Sequence, residues 1–514
     1  DNNEGLYAGI AREMLESGQF IVPHLNGVPY IEKPPLLYWL ASGSMTLFGP
    51  TPGAARLPSA LPMLALCQGL FQFCRRHLDA RIGCYASILL ATMAPVALVS
   101  HVVMFDPLLS ALLGGAMLCL LHAWLDGSRP ALRTAAALLA LGVLEKGAVA
   151  LVLACGSVAL FALLVRDRAV LRRLRDPVAL AIFLGVALPW HIMAAIEQEG
   201  FAWFYVVNEH ILRFLGRRQP ADYHHGPIWY YLPRLLLMLL PWTPFLSLVR
   251  WRAEAVPRRQ AIVRGCQAAV LFPLLFFSAS QAKAHYYTMV TAPAFALWLA
   301  VELERAVRAG PGPRLAGCWG LAAASCAVLL VVLSGADGRN WSTPMVALLC
   351  LGFLAVLVVA TRLFRTLDTV PARELALLGI GMLTAPVLYL VLARANLHAS
   401  RDSSAEIAAI IHARERPAPA VFIYRDFEDV FSTLPFYLRR TVPVIDSESR
   451  DLMFGCRIEP GTACIGHAQF LQRSKAGAVA VAVRSQRRGE FLAMAGKGWR
   501  SVAVGDKLVF FNTP

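Results

Sequence analysis

Gly147-Ala148-Val149-Ala150-Leu151-Val152-Leu153-Ala154-Cys155-Gly156-Ser157-Val158-Ala159-Leu160-Phe161-Ala162-Leu163-Leu164-Val165 carries neither charge nor proline, and Arg166, Arg168, Arg172, Arg173 and Arg175 follow almost at once. As a helix this stretch is about 28 Å long, close to the thickness of a bilayer's hydrocarbon core. It predicts a membrane span that ends in a basic loop. Further apolar runs of membrane length lie at 55–74, 82–100, 107–125, 178–195, 230–249, 265–280, 286–302, 315–334, 342–361 and 374–393, with a shorter one at 131–144. With 57% hydrophobic residues over 514 positions and a mean hydropathy of +0.55, the chain is too apolar for a soluble protein of its length. The fold class is a polytopic α-helical membrane protein.

A formal charge of +15 would suit a nucleic-acid partner if the arginines were gathered on one soluble domain. They punctuate the spans instead: Arg75, Arg76 and Arg81; Arg129 and Arg133; the group after Val165; Arg250, Arg252, Arg258, Arg259 and Arg264; Arg305, Arg308 and Arg314; Arg362, Arg365 and Arg373. Every second connection is basic, which places those loops in the cytoplasm. Residues 1–54, the loop 196–229 and everything after 394 then lie outside. A chain that starts outside implies one further span upstream, for about thirteen in all, the first missing from this chain. The organisation expected is a first outward loop with juxtamembrane helices (1–54), a transmembrane region (55–394) and an extracytoplasmic α/β domain (395–514).

The outward segments hold the unusual residues. Leu6, Ile10, Ala11, Met14 and Leu15 share one face of a helix over 4–18, with Glu4, Arg12, Glu13 and Glu16 elsewhere, a pattern suited to lying along the membrane surface. Tyr30-Ile31-Glu32-Lys33-Pro34-Pro35-Leu36-Leu37-Tyr38-Trp39 follows. Its two prolines stiffen a non-helical approach that fixes an acid and a base at headgroup level. Past 394 the pattern predicts strands at 421–424, 442–445, 478–483 and 508–511 and helices at 403–414, 428–439 and 487–495, a lid or docking module. Cys456 and Cys464 lie close together there, on an oxidising side, and either form a disulfide or stay free thiols.

Acidic residues at membrane level are costly and call for explanation. Asp106 either caps the helix opening at Pro107 or shares a cavity with the first-loop acids Asp1 and Glu4. Asp1 and Glu4 themselves are either helix-start charges or catalytic carboxylates. Glu32 with His224 and His225 offers a carboxylate and two imidazoles, a donor set for a divalent ion, zinc foremost. Lys33, Lys146, Arg213, Lys283 and Arg339 are outward cations against the positive-inside trend. They either snorkel or converge on an anion such as a lipid phosphate.

Asn3-Glu4-Gly5-Leu6-Tyr7-Ala8, Ile10 to Leu15, Pro23-His24-Leu25-Asn26-Gly27 and Glu32-Lys33-Pro34-Pro35-Leu36 resemble the first outward loop of the aminoarabinose transferases, which group with the protein O-mannosyltransferase-like membrane glycosyltransferases of C type. Leu144-Glu145-Lys146-Gly147 and Lys283 to Tyr287 resemble further segments of that family. The resemblance implies transfer of a sugar from a polyprenyl-phosphate donor to a lipid A-like glycolipid or a cell-envelope protein, at the outer face of the bacterial inner membrane. It implies catalytic roles for Asp1 or Glu4 and for Asp106, lipid-phosphate contacts from Lys33, Lys146, Arg213, Lys283 and Tyr287, and a metal at Glu32, His224 and His225. Where the family carries Asp this chain has Asn3, which accepts no proton at neutral pH. An acceptor already ionised, such as a phosphate, needs no such base. The rival class is a lipid or solute transporter, which would favour charged or glycine-broken positions at mid-bilayer and repeated halves.

Overall fold

The computed structural model of the chain describes residues 2–167, 170, 172, 175–221, 226–249, 256–309, 318, 404–414 and 418–512. It opens with α1 (Asn2–Ser17), a hairpin of β1 (His24–Leu25) and β2 (Val28–Pro29), and α2 (Leu36–Phe48). The bundle follows: α3 (Pro52–His77), α4 (Ala80–Thr92), α5 (Ala94–Val99), α6 (Phe105–Asp126), α7 (Arg129–Lys146), α8 (Ala148–Val165), α9 (Pro177–Glu197), α10 (Tyr231–Met238), α11 (Pro257–Ala279) and α12 (Ala292–Ala309). Among the described residues, six helical stretches are long and apolar enough to cross a membrane: α3, α6, α8, α9, α11 and His285–Ala309. The chain is therefore a multi-pass membrane protein. The runs at 315–334, 342–361 and 374–393 lie outside the described residues.

Two expected spans are interrupted. The run 82–100 breaks at Met93, whose backbone is extended between α4 and α5, and Ala94 donates its N–H to the Leu240 carbonyl 2.8 Å away. The run 230–249 is a 3-10 turn (Ile228–Tyr230), the short α10 and a second 3-10 turn (Thr243–Leu248). Pro233, Pro241 and Pro244 contribute no N–H to a continuous ladder. Mean hydropathy does not register that loss.

The amphipathic reading of α1 holds, but its apolar face meets protein. Leu6, Ile10, Ala11 and Met14 are buried in a core shared with α2 and the C-terminal residues Phe431, Leu434 and Phe436. Arg12, expected on the polar face, is buried too. Its Nη1 donates to the carbonyls of Pro435 and Phe436 at 2.7 and 2.8 Å. The hairpin turn is Asn26-Gly27, both with positive φ, as a tight two-residue connection requires. Glu13 accepts from both turn N–H groups, at 2.8 and 3.0 Å, and Asn26 exchanges two hydrogen bonds with the backbone of Val442.

After α13 (Ser404–His412) the chain builds a six-stranded sheet from β3 (Ala420–Tyr424), β4 (Val444–Ile445), β5 (Cys464–Ile465), β6 (Val479–Arg484), β7 (Arg500–Val504) and β8 (Lys507–Phe511), in the order β5-β4-β3-β6-β8-β7. The first four pair in parallel, and β8 and β7 close one side antiparallel. Its helices are α14 (Leu434–Leu438), α15 (Arg450–Ile458), α16 (His467–Ser474) and α17 (Arg488–Ala495). The sequence pattern had missed β5, β7, α15 and α16. Cys456 and Cys464 form a disulfide that ties the end of α15 to β5.

Candidate active site

Pro35 stands at the head of α2 without a side-chain cap, and Tyr30 donates its N–H to the Pro23 carbonyl at 2.7 Å. Between these anchors Glu32 and Lys33 face a cavity of about 590 Å³, well within the range of small-molecule sites. Asp106, Lys146, Arg213, Lys283 and Tyr287 line the same cavity. Tyr7, Tyr30, Glu209, His210, Arg218 and Asp451 line it as well, none of them assigned a site role from the sequence.

A chain of ion pairs orders one wall. Arg218 bonds Glu32 at 2.6 Å through Nη2 and Glu209 through Nε. Arg213 donates to the other oxygen of Glu209 at 2.9 Å, and the Lys33 ammonium stands 3.8 Å from it. Burial would raise the Glu209 carboxyl, but Arg213, Lys33 and Arg218 outweigh it and hold the group below its usual range. Glu32 goes the other way, raised by burial that Arg218 offsets only in part. Burial and the neighbouring Arg213 lower Lys33. With three cations around two carboxylates, this wall is short of negative charge.

The opposite wall is built by the end of α7 and the start of α6. Lys146 bonds Asp106 at 2.7 Å and sits 4.7 Å from the centre of the Tyr287 ring. Asp106 is thus paired forty residues away; the N-terminus of α6 has no side-chain cap. Gly147, at φ +75°, follows Lys146, and a Cβ there would lie 2.3 Å from Nε2 of His210. That imidazole accepts the Ala148 N–H at 3.1 Å and lies 2.6 Å from the Tyr205 carbonyl through Nδ1, locking the loop 196–229 onto α8. Lys283 donates to the carbonyls of Phe277 and Ser278, both at 2.8 Å, closing the C-terminus of α11.

Other expected residues stand elsewhere. Glu4 does not line the cavity: Arg56 grips it with two hydrogen bonds, at 2.6 and 3.0 Å, and Val103 adds its N–H at 3.3 Å. Its role is to fasten α1 to α3. Asp1, the side chain of Asn3, His224, His225 and Arg339 lie outside the described residues. The donors that are described do not make a cation site at Glu32, because Arg218 takes its Oε1 and Lys33 adjoins it in sequence. Among the described residues the cluster with metal-ligand spacing is His77, His122 and Asp126, at the far ends of α3 and α6, where Arg76 and Arg258 already bond Asp126.

Residues 32–193 match the family described as dolichyl-phosphate-mannose-protein mannosyltransferase. The chain is 29% identical over 393 residues to the undecaprenyl phosphate-alpha-4-amino-4-deoxy-L-arabinose arabinosyl transferase of Serratia proteamaculans, a match covering 70% of this chain and 67% of that one. The protein of the same name from Pseudomonas aeruginosa is 33% identical over 323 residues, covering 61% and 57%. The crystal structure of ArnT from Cupriavidus metallidurans bound to undecaprenyl phosphate is similar over 99% of this chain and 93% of that one, with a TM-score of 0.83 at 23% identity. The chain is thus similar to the aminoarabinose transferases in sequence and shares the fold of ArnT. Its sequence matches span from 52% to 67% of the length of the first curated relatives. The cavity of the chain joins the Glu-Lys-Pro-Pro element, the Glu-Lys-Gly segment and the Lys283 to Tyr287 segment, which are far apart in sequence.

Proposed function

We propose that the protein transfers a sugar from a polyprenyl-phosphate donor to a lipid A-like glycolipid or a cell-envelope protein at the outer face of the bacterial inner membrane. One observation carries the reading: a single cavity joins the cation-rich wall of Lys33, Arg213 and Arg218 to an apolar exit. Val152, Ile211 and Leu215 line the cavity and are 40%, 52% and 52% exposed. A lipid phosphate fits there with its head against the cations and its hydrocarbon tail leaving between those side chains.

The chemistry follows from charge. In the donor the phosphate is a diester with one negative charge. When an acceptor oxygen attacks the anomeric carbon from the opposite side, the bond to the phosphate oxygen breaks, its electron pair stays with the phosphate, and the charge grows toward two. Fixed cations that meet the growing charge stabilise the transition state more than the bound donor. Back-side attack inverts the anomeric centre. A phosphate acceptor attacks already ionised; a hydroxyl acceptor gives its proton to Asp106, the expected catalytic carboxylate that lines the opposite wall of the cavity.

The test is turnover by purified, membrane-reconstituted protein given polyprenyl phosphates carrying pentoses or hexoses, with a lipid A-like glycolipid or an envelope protein as acceptor. Mass spectrometry should show bare polyprenyl phosphate and an acceptor heavier by one sugar. Donor binding without transfer to either acceptor overturns the proposal.

A further inference from the structure

α15 sits across both outward loops. Gly455 lets it lie against the first: a Cβ at that position would come within 2.6 Å of the Pro29 carbonyl and of Val28. Phe454 packs on Phe204 of the second loop with ring centres 4.6 Å apart, and Arg450 donates to the Ala221 carbonyl at 2.6 Å. Ser449 caps the helix by accepting the Leu452 N–H. Glu428 holds the same turn, accepting from the Ser449 hydroxyl at 2.6 Å and the Asp451 N–H at 2.9 Å. The effect of this wedge is to bring Asp451, from the far end of the sequence, to the lining of the cavity beside Tyr7, Tyr30 and Glu32.

Among the described residues the Asp451 carboxyl has no hydrogen-bond or ion-pair partner, although every other acid lining the cavity is ion-paired. The charged groups that act on it are Glu32, Glu428, Arg218 and Lys33. Burial and the two carboxylates prevail and push it well up, and a carboxyl that keeps its proton can both donate and accept. A carboxyl of that kind beside two tyrosine rings suits a polyhydroxylated ring. The phosphate belongs with the cations of Lys33, Arg213 and Arg218, so the group attached to the phosphate lies toward this corner.

We infer that Asp451 is a specificity-determining residue that hydrogen-bonds a hydroxyl group of the transferred sugar, making the C-terminal domain part of the substrate site. The inference rests on the transferase reading above. Its test compares binding of a polyprenyl-phosphate-linked sugar with binding of bare polyprenyl phosphate. Asp451→Ala should weaken the sugar-bearing donor about tenfold or more and change the bare lipid phosphate less than twofold. Asp451→Asn, of equal volume, should give a smaller loss, with an unchanged melting temperature showing that α15 keeps its place. Equal weakening of both ligands, or of neither, overturns the inference while leaving the transferase reading intact. Wild-type protein that binds neither ligand overturns both.

Discussion

Replacing Lys33 by methionine removes one charge from the cation-rich wall and little else. Its ammonium stands 3.8 Å from Glu209, beyond hydrogen-bond length, and Glu209 keeps Arg213 and Arg218. The fold should therefore survive. During transfer the phosphate gains about one unit of charge. One such unit at about 4 Å from an ammonium is worth about 4 kcal/mol at an effective dielectric constant near 20. Hydrogen bonds to charged groups contribute about 1.5–3 kcal/mol net. Arg213 and Arg218 share the load, so the expected rise in barrier is about 2–3 kcal/mol. That is a fall in kcat of roughly 30- to 160-fold. Because the effect tracks charge that grows only in the transition state, KM for the donor should move much less. Single-turnover measurement of released polyprenyl phosphate separates the two, and Lys33→Arg should restore most of the rate. A Lys33→Met protein with normal melting temperature and kcat within threefold of wild type would refute the reasoning.

Lys146→Met leaves Asp106 without the partner that bonds it at 2.7 Å; breaking a buried pair costs up to about 3–5 kcal/mol, and Asp106→Asn in the same protein should recover part of the loss in a thermal melt. Burial, partly offset by the Gly27 N–H, the Arg12 charge and the Asn26 N–H, raises Glu13 from 4.5 to about 7. The folded state then binds the proton more tightly than the unfolded one, so stability should fall as pH rises from about 4.5 to 7, and Glu13→Gln should flatten that slope in melts taken across the range. Gly455→Val drives a side chain into the Pro29 carbonyl and should cost about 1–3 kcal/mol, seen as faster proteolysis in the C-terminal domain. Reducing the disulfide, which closes a loop over a separation of 8 residues, should cost about 2.5 kcal/mol by the chain-entropy relation, measured as a shift in the denaturation midpoint.

Much of the bundle was legible because membrane-length apolar runs leave few alternatives, and α3, α6 and α8 fall close to their expected bounds. Failures came where an average hides a local fact. The run 230–249 is apolar throughout, but its prolines divide it. At the cavity, cations stood out in the sequence because they defied the positive-inside trend, and the structure gathers Lys33, Lys146, Arg213 and Lys283 in one place. Their counter-ions did not stand out. Glu209 lies four residues before Arg213, a spacing that signals a helical ion pair, yet nothing local announces Arg218 as the partner of Glu32, 186 positions away. Asp451 was invisible for a different reason. It lies in a domain whose pattern says only that it folds, and its meaning comes from where α15 docks.

The burial of α1 sets an order of events during synthesis. Arg12 finds its carbonyl partners at Pro435 and Phe436, and Asn26 finds its own at Val442, more than four hundred residues later in the chain. Until that late segment is made, the first loop has no core to bury its apolar face and no fixed place for Glu32 and Lys33. The nascent protein thus carries an unfinished site while its helices insert, and a segment far downstream completes it. A ribosome that stops before that segment releases a chain that sits in the bilayer with its cavity unformed.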